Sequence, residues 1–329
     1  MKVLITGGAG FIGCNVARFY LEKGDEVIVL DDLSRKGASS NLEWLKSLGG
    51  IVFIKQDICD FTGLKAAVEK CGKIDLLYHM AAQVAVTTSV AEPRSDFEKN
   101  ALGTFNVLEA VRLAGLDPVI IFASTNKVYG EMTDLGVEEV EGKYQYSNMP
   151  DGIPESRGLD FHSPYGCSKG CADQYVIDYS RIYGLRTVCM RQSCIYGPRQ
   201  FGVEDQGWVA WFTIAAALGV PVTIYGDGKQ VRDILHVDDL IASFHAAYEN
   251  IDRVKGMAFN VGGGPENQMS LLELVAILEE KLGKKIEPSF DSWRPGDQKI
   301  YVSNIDKAKQ YLGWMPAVDK VKGVDMLWQ

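Results

Sequence analysis

Residues 2–13 read Lys2-Val-Leu-Ile-Thr-Gly-Gly-Ala-Gly-Phe-Ile-Gly13, and this stretch decides the fold. It begins as a short apolar strand, and the pattern that follows over 12–23 is typical of a helix. Gly7, Gly10 and Gly13 lie between the two elements. Glycines allow the tight turn and let backbone N–H groups approach a diphosphate at the N-terminus of the helix. The stretch therefore predicts a strand–turn–helix unit that binds a dinucleotide.

Strand and helix patterns continue to alternate through the first half of the chain. The predicted strands are Val3–Thr6, Val27–Leu30, Val52–Lys55, Leu76–His79, Val119–Ala123 and Thr187–Arg191. The predicted helices are 12–23, 39–48, 61–71, 97–114 and Pro164–Tyr183. Because the strands are almost entirely apolar, the pattern predicts a parallel sheet that is covered on both faces. We therefore predict the α/β class, with a Rossmann-type doubly wound parallel sheet.

The pattern becomes mixed after about residue 195. Helices are predicted at 207–218, 237–249, 270–282 and 304–312, and strands at 221–225, 257–262 and 286–289. We predict a cofactor-binding domain over 1–190 and a smaller, interleaved substrate-binding lobe over 191–329, with about 230–262 returning to the first domain. The polar residues 131–160 are predicted as a long loop, which is either a lid or a solvated insertion.

Composition excludes several kinds of partner. The chain has 329 residues, a net charge of −9 and a pI of about 5.1, which argues against nucleic-acid or acidic-membrane surfaces. It has neither a recognisable leader nor an apolar run of membrane-spanning length, so we expect a cytoplasmic protein. Its seven cysteines contain no Cys-x-x-Cys pair. We therefore expect reduced thiols and no metal site.

Two carboxylates favour one dinucleotide over another. Asp31 and Asp32 follow the second predicted strand, 18 residues after Gly13. An acidic side chain at this place holds a ribose diol and repels a 2′-phosphate, which favours NAD over NADP. The basic residues of Ser34-Arg-Lys36 are able to accommodate a 2′-phosphate, so NADP stays an alternative cofactor.

Three side chains have the chemistry of a proton-transfer site. Tyr165 and Lys169 are four residues apart, so on a helix they share a face. An ammonium beside a phenol lowers the pKa of the phenol, and this makes Tyr165 a usable base near neutral pH. Thr125 offers a hydroxyl near the end of a predicted strand, and Asn126 and Lys127 follow it.

Further motifs occur in a fixed order along the chain: His79-Met-Ala-Ala-Gln83, Asn100-Ala-Leu-Gly-Thr104, Tyr196-Gly-Pro198, Gly226-Asp-Gly-Lys-Gln-Val-Arg-Asp233 and Leu312-Gly-Trp314. With the glycine turn and Tyr165…Lys169, they resemble the extended short-chain dehydrogenase/reductases, in the nucleotide-sugar epimerase and dehydratase branch. The resemblance covers essentially the whole chain. The strings Ser124-Thr-Asn-Lys-Val-Tyr-Gly130 and Leu159-Asp-Phe-His-Ser-Pro-Tyr-Gly-Cys-Ser-Lys-Gly170 are similar to the CDP-tyvelose (CDP-paratose) 2-epimerase subgroup.

The resemblance implies roles for individual residues. Thr125, Tyr165 and Lys169 are the expected catalytic residues. The expected cofactor-binding residues are Gly7, Gly10, Phe11, Ile12, Gly13, Asp31, Asp32, Ser34, Arg35, Asp57, Ile58, Ala81, Ala82, Gln83, Asn100, Tyr165 and Lys169. The expected substrate-binding residues are Gln83, Thr125, Asn126, His162, Cys194, Gln200, Gln206, Arg232 and Arg294.

Some of these assignments have alternatives. Arg232 and Arg294 are expected to hold the substrate diphosphate, but each also has a neighbouring aspartate as an ion-pair partner. Cys194 occupies a position where many relatives have asparagine, so Gln200 or Gln206 is expected to replace that contact. The aromatic residues Trp208, Trp211 and Phe212 either stack on a pyrimidine or form a buried helix face. Cys167 and Cys171 are more consistent with helix packing than with a redox pair.

The pair Asn126-Lys127 separates two reactions within the resemblance. Nucleotide-sugar 4,6-dehydratases have an Asp-Glu pair there, which supplies the acid and base for water elimination. An amide and a cation do not fulfil these roles, so we expect oxidation and re-reduction at one carbon, that is, an NAD-dependent epimerase. The resemblance implies C2 of a CDP-linked sugar. A UDP-hexose 4-epimerase and a non-catalytic NAD(H)-binding regulator are the alternatives, and a homo-oligomer (dimer or tetramer) is expected by analogy.

Overall fold

The computed structural model describes residues 1–204, 206–294 and 296–329. Its strands are β1 Lys2–Thr6, β2 Glu26–Asp31, β3 Ile51–Lys55, β4 Leu76–His79, β5 Val119–Thr125, β6 Val137–Val140, β7 Lys143–Tyr146, β8 Arg186–Gln192, β9 Cys194–Tyr196, β10 Thr223–Tyr225, β11 Val231–His236, β12 Met257–Val261, β13 Gln268–Ser270, β14 Ser289–Asp291 and β15 Ile300–Tyr301. Its α-helices are α1 Phe11–Glu22, α2 Ala38–Leu48, α3 Phe61–Cys71, α4 Val86–Ala91, α5 Pro93–Phe97, α6 Gly103–Leu113, α7 Ser163–Tyr183, α8 Trp208–Leu218, α9 Val237–Glu249, α10 Ile251–Val254, α11 Leu271–Leu282, α12 Asp306–Leu312 and α13 Lys320–Trp328.

Seven strands form the main sheet, in the order β3-β2-β1-β4-β5-β8-β12. All its strand pairs are parallel; Val3, for example, pairs with Val27 on one side and Leu76 on the other. The strand order reverses direction between β1 and β4, which is where open α/β sheets bind ligands. The predicted α/β class with a doubly wound parallel sheet is confirmed.

Alternate side chains of β1 explain why the sheet is covered on both faces. Val3 and Ile5 belong to a core cluster that includes residues of α1, α2 and α9, whereas Leu4 belongs to a second cluster with residues of α3, α6 and α7. All three side chains are fully buried. Successive side chains of a strand point to opposite faces, so a fully apolar strand requires a helical layer on each side.

The second lobe is built on two small sheets. β10 pairs with β14, and β11 lies between β13 and β15 while its later residues pair with β9. Within the part predicted to return to the first domain, about 230–262, β11 belongs to a small sheet and β12 joins the main one. The main sheet also includes Gln192, two residues beyond the expected boundary at 190. The domain division itself stays a prediction.

The segment 131–160 differs from the predicted irregular loop. It contains the antiparallel hairpin of β6 and β7, and Tyr146 Oη donates to the carbonyl oxygen of Ile300 in the second lobe. Ile153 N also donates to Val302 O at 2.8 Å. These tertiary contacts fix short strands that lack apolar alternation of their own. None of the described helices is long and apolar enough to cross a membrane.

Candidate active site

The glycine turn forms a narrow cradle at the start of α1. Gly7 has a φ of +67°, and a Cβ there would lie 2.5 Å from the backbone nitrogen of Ala81. A Cβ on Gly13 would lie 2.2 Å from Gly7 O, so the helix packs directly against the turn. The N-cap of α1 is Gly10, which offers no side chain to the first helical N–H groups. Such a helix N-terminus fits the diphosphate of a dinucleotide.

An open cleft of about 930 Å³ lies beside this cradle, at the carboxyl ends of β1, β2 and β4. It brings together most of the residues expected to bind a cofactor: Gly7, Gly10, Phe11, Ile12, Gly13, Asp31, Asp32, Ser34, Arg35, Asp57, Ile58, Ala81 and Ala82. It also contains residues that sequence reasoning missed, Leu30, Ala38, Gln56, Met80, Val84 and Lys99, together with Gln206, which was expected to bind substrate. Gln56 and Met80 directly follow strands, and that position was a usable signal.

The two acidic residues of the cleft differ in their hydrogen bonds. The carboxylate of Asp31 accepts hydrogen bonds from Ala9 N at 3.0 Å and Leu33 N at 2.8 Å, so it holds the glycine turn against the end of β2. Burial raises its pKa, and these two bonds partly oppose the rise. The Asp32 carboxylate accepts from the backbone and hydroxyl of Ser34. A carboxylate has about four lone-pair sites, so both can also accept from a ribose diol.

Gln83 and Asn100 are placed behind the cleft and are absent from the residues described as lining it. Asn100 accepts a hydrogen bond from Gln83 N at 2.9 Å and donates to Ser168 at 3.1 Å. Gln83 Nε2 donates to the carboxylate of Asp96, which also accepts from Asn100. This network fastens the segment after β4 to α7. It suits a positioning role for both residues, and their expected direct contacts stay predictions.

The proposed catalytic residues meet where β5 ends beside α7. Thr125 Oγ1 accepts a hydrogen bond from Lys127 N at 3.2 Å, which fixes the hydroxyl at the start of a 3₁₀ turn over Asn126–Tyr129. Burial raises the pKa of Tyr165 to about 12, and a hydrogen-bonding contact with the Thr125 hydroxyl partly offsets this rise. The two hydroxyl groups therefore adjoin each other, although Thr125, Tyr165 and Lys169 are absent from the described lining of the cleft.

Lys169 does not have the expected effect on the pKa of Tyr165. Its Nζ donates to the carbonyl oxygen of Ala123 at 2.6 Å and lies 4.2 Å from the centre of the Phe122 ring. Burial lowers the pKa of Lys169 to about 8. The expected lowering of the pKa of Tyr165 by Lys169 is thus not found, because the ammonium is engaged by a carbonyl and burial of the phenol dominates. At pH 7 the lysine is still mainly protonated.

A buried network supports the catalytic turn from behind. Arg191 pairs with Asp173 through two hydrogen bonds of 2.9 and 3.0 Å. The same aspartate accepts from Ser124 Oγ at 2.7 Å, and Arg191 donates to the hydroxyl of Tyr129 at 3.1 Å. The network therefore holds residues on both sides of Thr125. Sequence reasoning missed Asp173 and Arg191, because neither residue shows by pattern which partner it has.

A second cleft, of about 790 Å³, adjoins the first and shares Gln206 with it. It brings together four of the residues expected to bind substrate: Cys194, Gln206, Arg232 and Arg294. It also contains Lys127, Glu204, Gly207, Trp208, Phe212, Thr223, Tyr225, Gln230, Leu271 and Asp297. Trp208 and Phe212 thus line the cleft, whereas Trp211 is absent from its described lining.

Two guanidinium groups give this cleft its chemical character. Arg232 donates to the carbonyl oxygens of Val231 and Gln298, both at 2.8 Å. Its neighbour Asp233 is fully buried and accepts from backbone and hydroxyl groups, so the alternative of a surface ion pair between them does not apply. The guanidinium of Arg294 lies 3.7 Å from the centre of the Tyr225 ring. Arginines at one cleft suit the oxygen atoms of a diphosphate.

His162, Gln200 and Asn126 are absent from the described lining of both clefts. The ring of His162 lies between Glu131 and Asp160, with the nearer oxygen at 3.0 Å. Gln200 Nε2 donates to Ile195 O, and Asn126 is buried beside Thr125. The direct substrate contacts expected for these three residues stay predictions.

The cysteines are thiols. All seven are free, and Cys194 Sγ accepts a hydrogen bond from Trp208 Nε1 at 2.9 Å. Burial raises the pKa of Cys194 to about 11, so this thiol is un-ionised at neutral pH. It contributes shape to the cleft and little hydrogen-bond donation.

One segment of the second lobe crosses the cofactor side of the protein. We call residues 198–204 with Gln206 the strap. Asn15 Nδ2 donates to Pro198 O at 2.9 Å, and Arg35 donates to Gln206 Oε1 at 2.5 Å. The ring of Phe201 packs on Gly37, where a Cβ would lie 2.2 Å from it. The strap therefore contacts α1 and the segment after β2, on the two sides of the first cleft.

A family model described as GDP-mannose 4,6 dehydratase matches residues 4–327. The chain is 46% identical to the CDP-paratose 2-epimerase of Salmonella typhi, over 100% of this chain and 98% of that protein. A crystal structure of UDP-glucose 4-epimerase from Thermotoga maritima with UDP-glucose superimposes with a TM-score of 0.85 at 33% identity, and the match covers 100% of this chain and 97% of that one. The UDP-glucose 4-epimerase of Thermus thermophilus, in complex with NAD, gives a TM-score of 0.80 at 32% identity, over 99% of both chains. The chain therefore belongs to the GDP-mannose 4,6 dehydratase family of the extended short-chain dehydrogenase/reductases, whose members are NAD-dependent nucleotide-sugar epimerases and dehydratases, and this confirms the predicted resemblance.

Proposed function

We propose that the protein is an NAD-dependent epimerase that inverts C2 of a CDP-linked hexose. The pair CDP-paratose and CDP-tyvelose is the first candidate substrate, and CDP-glucose with CDP-mannose is the second. One observation carries the choice of reaction: the turn after Thr125 presents Asn126 and Lys127, so the catalytic hydroxyl has no adjacent carboxylate pair for eliminating water. The 46% identity to a CDP-paratose 2-epimerase supports the choice of C2 and of CDP.

The first cleft fits NAD. The turn at Gly7–Gly13 would hold the diphosphate, and the carboxylates of Asp31 and Asp32 would hold the adenosine ribose. Arg35, the arginine nearest these acids in sequence, donates to Gln206, which reduces its use for a 2′-phosphate. When bound, NAD⁺ supplies a hydride acceptor and a positive charge.

The chain's own residues would move the proton. Thr125 and Tyr165 would hold the reacting hydroxyl between them, and Tyr165 in its ionised form would take the hydroxyl proton while the hydrogen on the same carbon leaves as hydride. Lys169 keeps a positive charge near this site through its bond to Ala123 O. The keto-sugar then turns over while its diphosphate stays bound, and the hydride returns to the opposite face. The cofactor ends unchanged.

A UDP-hexose 4-epimerase is the second candidate, because the structure from Thermotoga maritima contains UDP-glucose and matches the whole chain. A non-catalytic NAD(H) sensor is less well supported, since a protein that only binds needs no set of Thr125 at the end of β5 with Tyr165 and Lys169 on α7.

The test is direct. The purified protein is incubated separately with CDP-paratose, CDP-glucose and UDP-glucose, and the sugar H1, H2 and H4 signals are followed by NMR. We expect inversion at C2 of a CDP-sugar. Inversion at C4 of UDP-glucose alone would replace this proposal with the second candidate.

A homo-oligomer, either a dimer or a tetramer, and a cytoplasmic location remain predictions from the sequence. Light scattering coupled to gel filtration gives the oligomeric state, and a monomeric mass would refute the first of these predictions.

A further inference from the structure

Lys127 is the one residue of the catalytic turn whose side chain enters the second cleft. It is two residues from Thr125 in sequence, and its side chain is only partly exposed. Its Nζ donates to Gly296 O and to Gln298 Oε1, both at 3.2 Å. An ammonium group has three N–H donors, so these two bonds leave one for a ligand in the cleft.

The segment that Lys127 contacts is held from several sides. Gln298 Nε2 donates to Gly130 O at 2.5 Å, and Arg232 donates to Gln298 O at 2.8 Å. Lys127 and Arg232 are thus bound to the same short segment and line the same cleft. The position of the lysine nitrogen is therefore defined by the fold, and it is not that of a freely rotating surface chain.

The charges around this nitrogen suit an anion. Burial lowers the pKa of Lys127 to about 8, and the neighbouring Arg232 contributes to this lowering, while Asp297, Cys194 and Glu131 oppose the change. Two cations side by side in a cleft repel each other, and a ligand oxygen with negative charge relieves that repulsion. A diphosphate has such oxygens.

We propose that Lys127 is a substrate-binding residue, whose ammonium contacts an oxygen of the sugar–diphosphate together with Arg232. Because it follows Thr125 so closely, it sets the distance between the held diphosphate and the reacting hydroxyl. The sugar ring can then turn over about a fixed diphosphate. The identity of the sugar rests on the proposed function, whereas binding of a nucleoside diphosphate does not.

Binding measurements test this contact with the full-length protein. Lys127→Met keeps the length of the chain and removes the charge, and Lys143→Met is the control, because Lys143 is another partly buried lysine, paired with Glu273 outside the described lining of both clefts. Calorimetry gives the Kd of each variant for CDP and for CDP-paratose, and thermal melting confirms folding. We expect Lys127→Met to weaken binding by about 10- to 100-fold, as for a hydrogen bond to a charged group. The control should bind like the wild type.

Comparing CDP with CDP-paratose shows whether Lys127 contacts the diphosphate or the sugar. Weaker binding of both ligands assigns the contact to the diphosphate, and weaker binding of CDP-paratose alone assigns it to the sugar. If both ligands bind Lys127→Met within twofold of the wild type, the proposal is wrong. If the wild type prefers UDP and UDP-glucose, the proposed function fails, and the same comparison with those ligands still tests Lys127. Should Lys127→Met not fold, Lys127→Gln replaces it.

The pH dependence distinguishes a charged contact from a structural one. The wild type should lose affinity for CDP as the pH rises through about 8, because Lys127 then loses its proton. Lys127→Met should bind equally at pH 7 and about pH 9. A variant that only loosened the segment around Gly296 would bind CDP more weakly at every pH and would keep the pH dependence of the wild type. A pH dependence that survives in Lys127→Met therefore overturns the proposal.

Discussion

At the level of single residues, Tyr165 is the proposed base, and its environment is unfavourable for ionisation. Burial raises its pKa to about 12, and the neighbouring Thr125 hydroxyl compensates only in part. The phenol is therefore protonated at neutral pH in this structure. It would serve as a base only after losing its own proton, which the positive charge of bound NAD⁺ would favour, because a nearby cation lowers the pKa of a phenol.

Removing the phenol hydroxyl should therefore slow turnover strongly and leave cofactor binding intact. We expect Tyr165→Phe to lower kcat by about 10²- to 10⁴-fold, the usual contribution of a positioned acid–base group. NMR assays that are stopped at fixed times give kcat. The absorbance of the released dinucleotide gives the fraction of the protein that had cofactor bound. Tyr175→Phe is the control, because Tyr175 lies on the same helix and is 43% exposed. A kcat for Tyr165→Phe within about tenfold of the control would remove Tyr165 from the mechanism.

At the scale of elements, the end of β5 is rigid because α7 and β8 hold it through Asp173 and Arg191. Burial alone would raise the pKa of the Asp173 carboxyl, but the Arg191 guanidinium outweighs this and holds the pKa below its usual range. A carboxyl with a lowered pKa in the folded state stabilises the fold above its unfolded pKa of about 4, and this contribution is lost as the pH falls through the lowered value.

Asp173→Asn should therefore destabilise the protein at pH 7 more than in acid. Leaving a buried guanidinium unpaired costs about 3–5 kcal/mol. Urea unfolding at pH 7 and at about pH 3 measures the difference, which should shrink at the lower pH. Asp117→Asn is the control, since its pair with Arg186 is exposed and contributes about 1 kcal/mol or less. Equal losses for the two variants at pH 7 would contradict the structural role of the buried pair.

The strap borders the first cleft through Gln206. Gly37 has a φ of +87°, and a Cβ there would collide with Phe201 of the strap. Gly37→Ala should displace Phe201 and speed the loss of NAD during dialysis. Gly24→Ala is a matched control, because Gly24 has a φ of +80° with nothing within 4 Å of its Cβ position. If the two variants keep NAD equally long, the strap does not retain the cofactor.

Across the whole molecule, an element was predictable from the sequence when the contacts that stabilise it come from its own residues. The main sheet was predictable because its apolar strands and the turn at Gly7–Gly13 encode their own structure. Strands such as β9 and β15 have only two or three residues and exist through pairing with β11, so no local pattern reveals them. Conversely, the hairpin of β6 and β7 depends on contacts with the distant second lobe.

The residues of the candidate site were predictable to different degrees for the same reason. Residues at the carboxyl ends of strands, such as Asp57 and Ala81, lie at the cleft as expected. The spacing of four residues predicted that Lys169 shares a helix face with Tyr165. It could not show that the Lys169 ammonium donates to Ala123 O. Likewise, the motif containing Asn100 marked a functional region, whereas its bonds to Asp96 and Ser168 depend on tertiary packing.

The proposed reaction defines the route of one hydrogen atom, which isotope tracing follows. CDP-paratose that carries deuterium at C2 is incubated with the protein in ordinary water, and the product is examined by NMR and mass spectrometry. Hydride transfer within a closed site predicts inversion at C2 with the deuterium retained and no net formation of NADH. Loss of the deuterium to solvent, or a substrate that is left unchanged at C2, would contradict the account.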